Sequence, residues 1–472
     1  MDYRHRISEI IEQKRDVFIL ASDKIWDYAE TRHEEYKSAE YLCNTLEAEG
    51  FQVEKRAGDI ETAFIGSYGS GKPVVAILGE FDALFGLSQK SGSLQKEPIM
   101  QDGNGHGCGH NLLGTGALAA AVGLRYYMEE NNIPGTVRYY GCPAEEGGGG
   151  KGFMARKGLF DDVDFALTWH PADMNMVMSM SFLATNQVYF RFKGKSSHAA
   201  ASPHLGRSAM DAVELMNVGA NYLREHIIQD ARLHYAITNT GGFSPNVVQP
   251  EAEVLYKIRA PKTPQVEEIY QRVCDIARGA ALMTETELEI EFDAGSSNVI
   301  PNTTLEEVMH DNFTKLGIPT YDEQEMKFAQ NIRTTLTEAE KSHIFLPQLK
   351  DKVLADFLAS YVPNAGQLYG SSDVGDVSWI TPTAQCFVST SAVGTSPHSW
   401  QMVTQGKASI AHKGMLHAGK VIAATAFEIM QNPDLIEKAK TELREILGDS
   451  QYVCPIPSYV KPSPIKKGRN VD

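Results

Sequence analysis

Cys108-Gly109-His110, inside the run GHGCGHN, sets a thiol and an imidazole two residues apart around a glycine. Such a pair can face one metal ion, the glycine letting the backbone turn tightly around it. The chain also supplies Glu145-Glu146 in PAEEGGGG, His170 in TWHP and His398 in SPHSW. Thiolate, imidazole and carboxylate donors together suit zinc, manganese, iron or cobalt better than magnesium or calcium. Taken singly, each has an ordinary explanation: a solvated acidic turn, a structural histidine, a small buried cysteine. Glu145 and Glu146 are expected in extended chain, where neighbours point to opposite sides. One carboxylate would then face a metal while the other moves a proton between water and a leaving amine.

These groups need elements that bring them to one place. Short apolar runs predict strands over 73–78, 136–140, 163–169 and 385–390, with helices over 111–130 and, for one or two turns, 151–157. Strands alternating with helices mean a mostly parallel sheet covered on both faces. Ligands in such sheets bind beyond the carboxyl ends of the strands. Glu80, Asp82, Glu145, Glu146, His170 and His398 each follow a predicted strand, and Cys108 and His110 precede a helix. One crevice can hold them all.

Residues 186–296 have another rhythm. Strands are expected over 187–192, 233–239, 251–259 and 286–292, with helices over 206–225 and 264–282. The order β-α-β-β-α-β describes an α+β unit inserted between a first catalytic part, 1–185, and a second, 297–472. Residues 300–370 are polar, and several short helices are expected there. The tail after Pro455, with KKGRN near its end, is expected to be loosely held.

The composition is that of a globular protein: 472 residues, 42% hydrophobic and 22% charged, enough for two cores. A net charge of -16 speaks against nucleic acid or an anionic membrane as partner. The charged N-terminal segment lacks an apolar signal core and patterns as an amphipathic helix. The longest apolar stretch, 112–124, is broken by three glycines and is too short to span a bilayer. Six scattered cysteines without a framework pattern point to a reducing cytoplasm. The glycines at 147–150 lack the lysine-Ser/Thr sequel of a phosphate loop.

The ordered set GEFDAL, GHGCGHN, PAEEGGGG, KGKSSHAAASPHLGRSA, NVVQPEAEVLYKIRAP, GSSDVGDVSW and TSPHS resembles the M20 metallopeptidases, in the subgroup whose first metal motif is HxCGH. The resemblance covers nearly the whole chain. It implies a zinc-aminopeptidase-like α/β catalytic domain carrying an inserted lid and dimerisation domain. It implies two divalent ions, manganese or zinc, held by Cys108, His110, Glu146, His170 and His398, with Cys108 bridging. Glu145 would be general base and acid, and Asp82 would orient a ligand. His198, lent by a neighbouring subunit, would bind the developing oxyanion, and Asn246 and Arg259 the substrate carboxylate. Three positions depart from the family pattern: Glu80 stands where many members have a metal-binding histidine, Asn111 replaces an aspartate, and HAAASPH is one residue longer.

The activity implied is hydrolysis of an N-acyl or N-aroyl amino acid, with p-aminobenzoyl-glutamate the leading substrate. The partner would be a small molecule, and the assembly a homodimer or a heterodimer with a homologous subunit. Two alternatives stand beside it: an aminohydrolase releasing ammonia from an aromatic amine, and a non-catalytic partner subunit. The retained donor set and Glu145 weigh against a scaffold.

Overall fold

The computed structural model describes residues 2–342 and 344–464. Thirteen strands are found among them: β1 (Gln52–Lys55), β2 (Phe64–Ser70), β3 (Val74–Glu80), β4 (Gly135–Cys142), β5 (Phe165–Ala172), β6 (Met176–Met178), β7 (Ser181–Phe182), β8 (Ala184–Lys193), β9 (Arg232–Asn239), β10 (Glu251–Ala260), β11 (Glu287–Ser296), β12 (Gln367–Leu368) and β13 (Thr383–Ser389). Seven form one sheet in the order β1-β2-β4-β3-β5-β13-β6. Its four central strands, β4, β3, β5 and β13, run parallel. The pairings at its two ends are antiparallel. The fold is α/β, as its alternating strands and helices predict.

The central strands are apolar almost without interruption, because helices cover both faces. Every residue of β3 is buried. The helices His110–Asn131 and Ser409–Met430 pack on one face, around Leu118, Val122, Leu167, Ile422 and their neighbours. Gly114 is needed for this approach, since a Cβ there would stand 2.6 Å from the Glu80 carbonyl oxygen. The other face joins an apolar cluster that continues from Leu78 and Phe153 to Val188, Met216 and Val273.

The four-stranded sheet has the order β11-β8-β10-β9 and is antiparallel throughout. The helices Ala209–Leu223 and Thr263–Thr284 cover one of its faces. The burial of β10 alternates strictly, even-numbered residues inward and odd-numbered residues on the open face.

Two expectations need correction. The 303–316 segment is a full helix of 14 residues, capped by the Asn302 side chain, and a second helix of 12 residues follows at Glu323–Thr334. The tail is not loose over its described part. Ile456 and Val460 are buried, Arg156 donates to the carbonyls of Pro457 and Val460, and Arg32 donates to that of Ser463. KKGRN lies outside the described residues. No helix among them is long and apolar enough to cross a membrane.

Candidate metal centre

Register explains how the donors meet. In the parallel pairs Glu80 lies level with Cys142, and β3 runs beside β5 up to Ile77 and Leu167, three residues before Glu80 and His170. His170 is itself paired with Phe387 on β13. The carboxyl ends of β3, β4, β5 and β13 therefore open on one crevice. His170 lies inside β5 rather than after it. Gly109, with φ of 75°, turns the chain so that His110 begins the long helix while Cys108 stays at its mouth.

Two donor triplets result, Cys108 with His110 and His170, and Cys108 with Glu146 and His398; within each, the ligand atoms lie within 4.8 Å of one another. Cys108 belongs to both. A third group joins Glu80, His110 and Glu145. Cys108 Sγ is 3.4 Å from His170 Nε2, and His398 Nε2 is 3.1 Å from Glu146 Oε1.

Surrounding groups hold the donors in place. His110 Nδ1 donates to Asp82 Oδ1 at 2.8 Å, which leaves the lone pair of Nε2 free for a cation. Asp82 Oδ2 accepts the Glu146 backbone N–H at 2.8 Å. His170 Nδ1 donates to the Pro171 carbonyl at 2.8 Å, with the same consequence. The fit to a metal can be tested on an unsatisfied atom. His110 Nε2 is buried and makes no hydrogen bond. A buried polar atom seldom goes unpaired, and this one points into the donor set. Thiolate, imidazole and carboxylate are the donors of a borderline divalent ion, so the residues fit such ions.

The charges agree with that reading. Burial, then the Glu146 charge, pushes the Cys108 thiol up, so its thiolate needs a cation beside it. Burial pushes the Glu146 carboxyl up, but His398 and His110 outweigh it and hold the group below the usual range. Glu145 goes the other way: burial, then the charges of Glu80, Glu146 and Asp373, raise it well above an ordinary carboxyl. The adjacent pair is thus split electrostatically, Glu145 holding its proton far more tightly than Glu146. The pair does not sit in extended chain, as the sequence suggested. It lies in a turn entered through Ala144 at φ of 60°, and the turn still sends the two carboxylates to different donor groups.

A cleft of about 580 Å³ opens over these groups; Cys108, Glu145, His170, Arg259 and Phe387 are among its lining residues. Arg259 reaches it from β10 and donates to Ser371 Oγ at 2.8 Å. His198 and Asn246 do not reach it. Both are exposed on the four-stranded unit, where His198 pairs with Val247 and the Asn246 carbonyl accepts from Ala199 N at 2.9 Å. His198 Nδ1 accepts from the N–H groups of Ala200 and Ala201.

Sequence reasoning missed the environment of Glu80. Lys151, fully buried, donates to Glu80 Oε1 at 2.6 Å and to Asp373 Oδ1 at 2.5 Å. Burial alone would push Glu80 up, but Lys151 and then His110 hold it below the ordinary carboxylate range. Glu80 Oε2 stands 3.5 Å from His110 Nε2. A lysine directly after four glycines is the available signal. Asn111 donates to Ser22 Oγ and to the Gly406 carbonyl, a structural use.

A parallel sheet bearing clustered metal donors at its carboxyl ends, beside a poised carboxyl, defines a class of hydrolase. Residues 76–457 match peptidase family M20/M25/M40, and the chain belongs to that family, whose members hydrolyse amide bonds. It is 50% identical over 474 residues to one of the subunits of the p-aminobenzoyl-glutamate hydrolase of Escherichia coli strain K12, covering 98% of each chain. Solved structures share the fold. A dinuclear metal-binding peptidase of family M20 from Bacillus subtilis superposes with a TM-score of 0.55 at 16% identity, over 89% of this chain and 99% of that one. The aminobenzoyl-glutamate utilization protein of Klebsiella pneumoniae does so with a TM-score of 0.55 at 16% identity, over 87% and 98%.

Proposed function

We propose that this hydrolase cleaves the amide bond of N-acyl or N-aroyl amino acids, with p-aminobenzoyl-glutamate going to p-aminobenzoate and glutamate as the leading reaction. The observation that carries the reading is the pair of donor triplets sharing Cys108, with Glu145 held apart from them as an acid-base group. The name of the relative at 50% identity supports the substrate.

Cys108, His110, Glu146, His170 and His398 would hold two divalent ions, manganese or zinc. Such ions, when bound, would supply Lewis acidity toward the amide carbonyl and the attacking water. Glu145 takes a proton from the attacking water and returns it to the departing nitrogen. Arg259, whose planar guanidinium suits bidentate pairing, holds the free carboxylate of the substrate, together with Asn246. His198 donates to the oxyanion of the tetrahedral intermediate. Since His198 and Asn246 stand outside the cleft of their own chain, a second protomer, identical or homologous, supplies them. In this scheme 1–185 and 297–472 form the catalytic domain, and 186–296 the lid. Six free cysteines suit a reducing cytoplasm.

Glu145→Gln removes the proton carrier and leaves every proposed ligand. It is expected to keep the wild-type metal content while turnover of p-aminobenzoyl-glutamate falls by about 10²–10⁴. Steady-state assay and metal analysis of the same preparation decide. Full turnover by the variant sinks the base assignment, and full wild-type activity after exhaustive chelation sinks the metal site.

A further inference from the structure

The open face of the four-stranded sheet carries two contrasting halves. Toward the start of β10, charge is balanced: Glu253 lies opposite Arg191 and bonds to it. Toward its end, the facing residues of β9 are basic, while those of β8, Gln187 and Thr185, are uncharged. Lys257 is opposite His234 on β9, and Arg259 is opposite Arg232. Arg259 and Arg232 set like charges directly across an antiparallel pair, which is destabilising, whereas burial, then the Arg259 charge, pulls the His234 imidazole down. Asp293, on the neighbouring β11, is already taken up by Arg32 and Gln187.

The two residues of β10 look into the cleft. Lys257 and Arg259 both line it, two positions apart on one face, so their roots are about 7 Å apart. Among the described residues, the Lys257 ammonium makes no hydrogen bond and no ion pair, and the Arg259 guanidinium bonds only to Ser371 Oγ. Burial, then the Arg259 charge, pulls Lys257 down to about 8, while Glu145 and Glu146 pull the other way. Arg232 is engaged elsewhere, over the Tyr369 ring and on the Gln229 and Ala231 carbonyls, so it adds potential rather than a free donor.

We infer that Lys257 and Arg259 together form a dicarboxylate clamp, Arg259 for the free α-carboxylate and Lys257 for the side-chain carboxylate, which selects N-acyl derivatives of acidic amino acids. The inference rests on the amide-hydrolase reading and narrows its substrate class. A second, unpaired cation is wasted on a neutral side chain, which would leave it desolvated without a partner. Discrimination therefore comes from rejecting the neutral analogue as well as from holding the acidic one.

The test compares benzoyl-glutamate with benzoyl-glutamine, its neutral isostere, in kcat/KM, for wild type, Lys257→Met and Lys257→Arg. Alongside it, calorimetry measures binding of glutarate and glutaramate to the metal-loaded proteins. Wild type is expected to prefer benzoyl-glutamate by at least about tenfold. Lys257→Met is expected to lose about that factor on benzoyl-glutamate, through KM, and threefold at most on benzoyl-glutamine. Lys257→Arg keeps the preference. Equal rates for the two substrates in wild type, or equal losses in Lys257→Met, overturn the clamp. If wild type cleaves neither substrate, it is the amide-hydrolase reading on these substrates that falls. The clamp is then decided by binding alone: tighter binding of glutarate than glutaramate upholds it, and equal binding overturns it.

Discussion

Asp82 has two carboxylate oxygens, and both are engaged: one accepts from His110 Nδ1, the other from the Glu146 backbone N–H. It thereby sets the direction of one donor and the position of the turn carrying another. Burial raises its carboxyl, but the His110 charge and bond outweigh this and keep it ionised. Asp82→Asn replaces one acceptor with an NH₂ that must face an N–H. Partners of this kind contribute about 10–100-fold to metal affinity. The variant is expected to lose that factor in competition with a chromogenic chelator, while its circular dichroism stays as in wild type. Unchanged affinity would mean that the helix start and the β4 turn hold His110 and Glu146 unaided.

At the scale of elements, one side chain joins three. Lys151 sits in the first turn of the helix Gly150–Arg156, Glu80 ends β3, and Asp373 precedes the helix Val374–Ser378. Its ammonium lies between the two carboxylates, and all three groups are buried. A buried charge stripped of its partner typically costs about 3–5 kcal/mol, more than the pair contributes over an apolar replacement. Lys151→Met is expected to lower the denaturation free energy by about that amount, read from urea midpoints. A loss below about 1 kcal/mol would show that water or protonation compensates the carboxylates. This tie also marks the limit of what the sequence disclosed. Apolar runs such as PVVAIL and FALTW, and the alternation of β10, report directly on burial, so the strands of the two larger sheets' centres were legible. Cys108, His110, Glu146, His170 and His398 were legible because each neighbours such a run. Lys151 and Asp373 are polar residues with no periodicity of their own, and only the fold makes them neighbours. The paired strands β1 and β2 carry little signal because QVEK has no buried residue and FIGSYGS is interrupted by glycine and serine.

The whole molecule poses a question of completeness. The cleft holds the metal donors, Glu145, Lys257 and Arg259, while His198 and Asn246 are exposed on the four-stranded unit, away from its lining. If they serve catalysis, they serve another chain's cleft, and closed two-fold symmetry would let each protomer complete the other. Co-expression of two differently tagged chains, one carrying Glu145→Gln and the other His198→Ala, separates the possibilities. Each variant alone forms only incomplete sites. In a mixed dimer, the chain that keeps Glu145 receives His198 from its partner, so one of the two sites is whole. Random pairing makes half of the dimers mixed, and the co-expressed pool is expected to recover about a quarter of wild-type turnover. Dimers purified through both tags should recover about half. Action of His198 within its own chain predicts no recovery in either pool. A homologous second chain as the natural partner predicts recovery only when that chain is supplied, because its histidine, not this chain's, then fills the cleft.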